Sequence, residues 1–189
     1  MAMIPSKIEV EEVSNILLEE LNVYHSSIKE RLGIDDVTYS TEVGTFKVCN
    51  GYPDEHTLAS SVPNSEGTGV EKIIFFSASI TDKINRYYSK IYNKQPAFME
   101  AAKILIRFAI IHELVHIKQF KNGLTFEQYK QIDYTENPWE REANEIASEI
   151  ISETGSFGTE IINVLREITV ISSENLDYII GLFDDNENN

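Results

Sequence analysis

Apolar positions over residues 5–32 recur at helical spacing. Ile8, Val13, Ile16, Leu17, Leu21, Tyr24, Ile28 and Leu32, with glutamates between them, predict one amphipathic N-terminal helix that Gly33 ends. The pattern then changes. "VTYSTEVGTFKVCNGY" is rich in Val, Thr, Tyr and Phe around Gly44, which predicts two short strands or a bent hairpin and opens a β region over 37–78. Residues 53–70 concentrate Pro, Ser, Asn and Gly and predict a surface loop able to cover a neighbouring cleft. "EKIIFFSASI" predicts an apolar strand, and Ser79 or Thr81 then caps a helix carrying Ile84, Tyr87, Tyr88 and Ile91.

The second half has helical spacing throughout. From about Pro96 to Phe120 apolar residues cover most of the helical circumference, so this helix (96–120) belongs in the middle of the domain. "TFEQYKQIDY" predicts a short polar helix or turn. In "ENPWEREANEIASEIISE", Asn137 is placed to cap a helix over 138–154 with Pro138 at its first position and glutamates in its first turn, and Gly155 ends it. Further helices follow over 157–183, then an acidic tail over 184–189. The elements add up to one α+β domain over residues 1–183, mostly helical.

Composition narrows the partners. Sixteen Lys and Arg stand against 31 Asp and Glu, and a net charge of −15 repels phosphate backbones and anionic lipid, which argues against nucleic acid and membrane surfaces. A lone cysteine, Cys49, has no internal disulfide partner and points to a reducing compartment. The N-terminus lacks the basic start and apolar run of a signal peptide, and no apolar stretch approaches the roughly 20 residues of a membrane span. The expected location is the cytoplasm.

The chemistry lies in "AIIHELVHIKQ", residues 109–119. His112 and His116 are four apart, hence one turn apart on one helix face, where two imidazoles can reach a single zinc ion at about 2.0 Å each. Glu113 sits roughly 100° further round, beside that face, where it can approach a water on the metal. Chance alone places H-E-x-x-H in roughly one shuffled chain of this kind in a hundred. The buried setting makes chance a poorer explanation, because unpaired buried charge costs several kcal/mol and a divalent cation would offset it. Glu140, in the first turn of the next helix, is the candidate third ligand, ahead of Glu142. Asn144 lies one turn further on the same face as Glu140, where it can hold the tautomer of a ligating histidine.

"HELVH" followed by "EREANEIA" resembles the zincin metallopeptidases of the gluzincin type, nearest their small soluble ImmA/IrrE-like members, over about residues 100–150. The resemblance implies a zincin-like domain with a small, partly antiparallel sheet beside the active-site helix and a ligand-bearing helix downstream. It implies one Zn2+ held by His112, His116 and Glu140, with Glu113 as catalytic base and Asn144 in support. The expected activity is that of a zinc-dependent endopeptidase acting on a protein or peptide, with Tyr134, Tyr129 or His56 as candidate donors to the oxyanion. In such folds an extended peptide pairs with the edge strand next to the active-site helix; "KIIFFSAS" is the candidate, a core strand being the equal alternative. Two rivals remain: a latent or non-catalytic zincin-like protein that binds zinc and acts as a binding or regulatory component, and a helical interaction domain without metal.

Overall fold

The computed structural model describes residues 7–54, 56–89 and 96–152, together with Ile161, Asn163 and Val164. Within them the fold is α+β, with six helices and two small sheets. The expected Ile91, Gly155, tail 184–189 and all but three residues of the helices over 157–183 lie outside the described residues. Among the described residues no helix is long and apolar enough to cross a membrane.

The predicted N-terminal helix is two helices, α1 (Val10–Val23) and α2 (His25–Leu32), joined at Tyr24. Glu9 and Glu12 form a reciprocal capping box that starts α1, and Gly33, at φ +70°, closes α2 in the left-handed region that a Cβ disfavours. Periodicity cannot register a one-residue joint that keeps the apolar face in phase. Val13, Ile16, Leu17, Ile28 and Leu32 are all buried.

Five strands follow: β1 (Ser40–Gly44), β2 (Lys47–Cys49), β3 (Tyr52–Asp54), β4 (Ala59–Pro63) and β5 (Val70–Phe76). β2 and β3 make a small antiparallel hairpin, so the hairpin of this region excludes β1, which instead pairs in parallel with β5. β4 pairs antiparallel with the other side of β5, giving the order β1-β5-β4. One expectation is thereby corrected, and one open alternative is decided. The polar run 53–70 is no plain loop, because β4 runs through it; its Ser-rich residues gain their ladder partners from β5. "KIIFFSAS" is not an edge: β5 is the central strand, and β4 is the edge next to the long helix. β5 stops at Phe76, and α3 (Ser77–Tyr87) begins earlier than expected, without a cap from Ser79 or Thr81. Their hydroxyls donate to the carbonyls of Asp54 and Ser77 instead.

The long helix α4 (Pro96–Lys121) is the central element, packed against α1, α2, α3, β4, β5 and α6 (Pro138–Ile151). Its buried positions occur on all sides, as expected for a helix in the middle of a domain. Between α4 and α6 the chain reverses at Gly123 (φ +104°), passes through α5 (Phe126–Lys130) and takes one 3-10 turn at Tyr134–Glu136. Phe126 stacks on Phe120 with ring centroids 4.3 Å apart, which seats α5 against the end of α4. Asn137 caps α6 by accepting from the Trp139 N–H at 3.0 Å, with Pro138 at the first helical position. α6 closes at Ile151, three residues short of the expected end.

One ion pair is built into this packing. Arg107 of α4 donates twice to Glu20 of α1, at 2.7 and 2.9 Å, while Glu20 is buried and the guanidinium lies 5.3 Å from the centre of the Tyr24 ring. Removing one partner strands a buried charge. Arg107→Met should lower unfolding free energy by about 3 kcal/mol in urea titrations, and adding Glu20→Leu should recover most of the loss.

Candidate metal centre

Helix α4 projects His112, Glu113 and His116 toward the gap between β4 and the first turn of α6, where Glu140 points back at them. His116, Glu113 and Glu140 are 5%, 8% and 4% exposed, and His112 is half-buried. His112 Nε2 lies 3.1 Å from His116 Nε2. Glu140 Oε2 is 3.2 Å from His112 Nε2 and Oε1 is 3.2 Å from His116 Nε2. Three ligands about 2.0 Å from a tetrahedral zinc stand roughly 3.3 Å from one another, so these separations suit one ion.

The hydrogen-bond pattern explains why the atoms that converge are lone pairs. Gln119 Nε2 faces two acceptors, the Trp139 carbonyl at 2.9 Å and Glu142 Oε2 at 2.7 Å. That fixes the amide orientation, so Gln119 Oε1 must accept, and the partner 2.8 Å away, His116 Nδ1, must carry a proton. His112 Nδ1 lies 2.9 Å from Asn144 Oδ1, the contact expected of Asn144, and donates to it in the same sense. A neutral imidazole protonated at Nδ1 offers a bare lone pair at Nε2. Two lone pairs and a carboxylate therefore meet in a buried space.

Tyr129 is placed by α5, and its hydroxyl donates to Glu140 Oε1 in a very short contact. Asn137 Nδ2 donates to the Tyr129 carbonyl at 3.2 Å, tying the end of α5 to the start of α6. The other oxygen, Glu140 Oε2, is buried and has no hydrogen-bond donor. An orphaned carboxylate oxygen beside two imidazole lone pairs fits a cation, and His112, His116 and Glu140 form the group of described residues able to hold a metal ion.

Electrostatics point the same way. Burial acts to raise the Glu140 pKa, but the His112 and His116 imidazoles, each 3.2 Å from one of its oxygens, outweigh it and hold the carboxyl well below the usual carboxylate range. Burial acts to lower the His116 pKa, and the Glu140 and Glu113 carboxylates facing the ring outweigh it, so the imidazole is shifted up. The cluster calls for positive charge at its centre, whether proton or metal.

Glu113 stands beside this group. Ser61 Oγ, from edge strand β4, donates to its Oε2 at 2.8 Å. Sequence reasoning missed Ser61 and Gln119. Ser61 lay in a stretch whose composition resembles a loop, and the contact spans 52 residues. For Gln119 a signal existed, since a glutamine three residues after a histidine on one helix shares its face. Tyr134 is 64% exposed overall, yet its hydroxyl end is crowded against the cluster: desolvation there, followed by the charge of Glu140, a hydrogen bond to Glu140 and the Glu113 charge, pushes its pKa up. His56 is exposed on the turn after β3, with its backbone N–H donated to Asp54, and joins nothing at the centre among the described residues. Glu142 bonds Gln119 and faces away from the cluster, leaving Glu140 as the carboxylate that meets both imidazoles.

Comparison of the chain with family models, curated proteins and solved structures finds no match. The functional reading therefore stands on the residues and their geometry.

Adding zinc to metal-free protein should raise its melting temperature. With free zinc at a hundred times Kd the added stability is about 2.7 kcal/mol. His112→Ala, His116→Ala and Glu140→Ala should each abolish that rise, as read by calorimetry with elemental analysis of the purified variants.

Proposed function

We propose that the protein is a zinc-dependent endopeptidase of the zincin type, with His112, His116 and Glu140 as ligands to one Zn2+ and Glu113 as general base. The observation that carries the reading is the buried meeting of two Nδ1-protonated imidazoles with an orphaned carboxylate oxygen, one residue from a carboxylate that belongs to none of them. A site that only stabilised the fold would more often be closed by a fourth protein ligand. Here the described residues supply three.

Bound zinc would lower the pKa of a water to about 7 and polarise the scissile carbonyl. The remaining steps belong to this chain. Glu113 takes the proton of the attacking water and hands it to the leaving amine, while Ser61 holds its Oε2 and fixes the carboxylate plane. His56 lies off the centre and Tyr129 is held by Glu140 in a very short contact; Tyr134, more exposed and also within reach of Glu140, is the phenol assigned to the developing oxyanion. β4, the edge strand beside α4, offers its open side to an extended peptide. The polypeptide substrate is reached through main-chain pairing, so the reading calls for a protein or peptide in extended conformation.

A peptide-library digest with mass-spectrometric readout tests the activity. Glu113→Gln should keep the metal and lose cleavage by at least about a hundredfold, in line with the usual size of a general-base contribution. Tyr134→Phe should lower kcat by about 10²–10³ with little change in KM, the expected loss of one oxyanion donor. Equal background cleavage by the parent and Glu113→Gln would overturn the enzyme in favour of a zinc-binding regulatory protein.

A further inference from the structure

Gln119 is buried, bonded three ways and absent from the ligand set. A buried amide between two helices has an ordinary packing role, but this one has a directional pattern. Its oxygen takes the His116 Nδ1 proton, and its nitrogen gives both protons away, one to a neutral carbonyl and one to the Glu142 carboxylate. Glu142 is exposed, while the far end of the chain of bonds, His116, is 5% exposed. The chain thus runs from a surface charge on α6 to a metal-facing lone pair on α4. A charged acceptor strengthens and polarises the amide bond it receives, which enriches Oε1, tightens its hold on Nδ1–H and makes Nε2 a better donor to a cation.

We infer that Gln119 is a positioning residue for the metal centre and that Glu142 sets its metal affinity through it, as a Glu142–Gln119–His116 relay. The inference rests on the metal-binding half of the reading above and is independent of hydrolysis. Nothing in the H-E-x-x-H pattern or its downstream glutamate requires the relay, since His112 is held by a different residue, Asn144, from a different direction.

Substitution is sterically mild. Gln119 borders a cavity of about 140 Å³ that Leu124 and Trp139 also line, so a leucine fits there without overpacking.

The test is zinc affinity, measured by competition with a chromophoric chelator on metal-free full-length protein, with circular dichroism and melting of the metal-free form to confirm the fold. Gln119→Leu should weaken zinc about 10- to 100-fold, the usual effect of removing an outer partner of a ligating histidine. Glu142→Ala should weaken it by a smaller factor in the parent and by none in the Gln119→Leu background, because its influence passes through the amide. Equal weakening by Glu142→Ala in both backgrounds would mean a plain through-space charge and overturn the relay. Unchanged affinity in Gln119→Leu, with the parent binding zinc, would overturn the positioning role alone. A parent that takes up no zinc would overturn the metal reading and this inference together.

Discussion

Two imidazole lone pairs and a carboxylate oxygen pointing at one another inside a protein form an unstable arrangement without a cation. Each is an acceptor, each is removed from water, and repulsion among them is little screened in a buried site. The cluster of His112, His116 and Glu140 has this character because its outer contacts saturate every donor position: Asn144 and Gln119 take the two Nδ1 protons, and Tyr129 satisfies one oxygen of Glu140. A proton shared at the centre relieves the repulsion in part. A divalent ion relieves it more fully, since it accepts all three ligands at once.

The rest of the domain serves to hold that arrangement still. α4 sits amid packed elements on nearly all sides, so its two histidines have little freedom to turn away. The Glu20–Arg107 pair ties α1 to α4 one and a half turns from His112. On the other flank, the Phe120–Phe126 stack, the Asn137 cap and the bond from Asn137 to the Tyr129 carbonyl fix the short route from α4 to α6. Glu140 gains from its place in the first turn of α6, where the helix end favours negative charge even before the imidazoles are counted.

What the amino-acid pattern made legible is what local periodicity and capping chemistry encode. The histidine spacing, the buried character of α4, the Asn137-Pro138 start of α6 and the position of Asn144 all follow from residues within a few turns of each other. The Tyr24 joint was invisible because both helices keep their apolar faces in register. β4 was invisible because Ala59–Pro63 is not strongly apolar and carries a single β-branched residue, Val62; it is a strand on account of β5 beside it, a tertiary fact. Ser61 was hidden for the same reason. For β5 the resemblance suggested an edge and the strong apolar pattern a core strand; the structure gives the core strand, with neighbours on both sides.

Two mechanical paths converge on the centre, and they are separate. Metal binding depends on the spacing between α4 and α6, because α6 carries Glu140 and Asn144 and also the two acceptors that orient Gln119. Placement of Glu113 depends on the spacing between α4 and β4, through Ser61. A change confined to the sheet edge therefore acts first on Glu113, through Ser61, and leaves the ligand set in place. A change in the seating of α6 acts on one ligand, Glu140, and on both tautomer-fixing contacts together. Under the proposed peptidase reading, since a misplacement of about 1 Å in a catalytic group can cost a factor of about a hundred in rate, the edge strand is where a substrate would adjust the chemistry with the ligand set in place, and α6 is where a shift would open the ligand set.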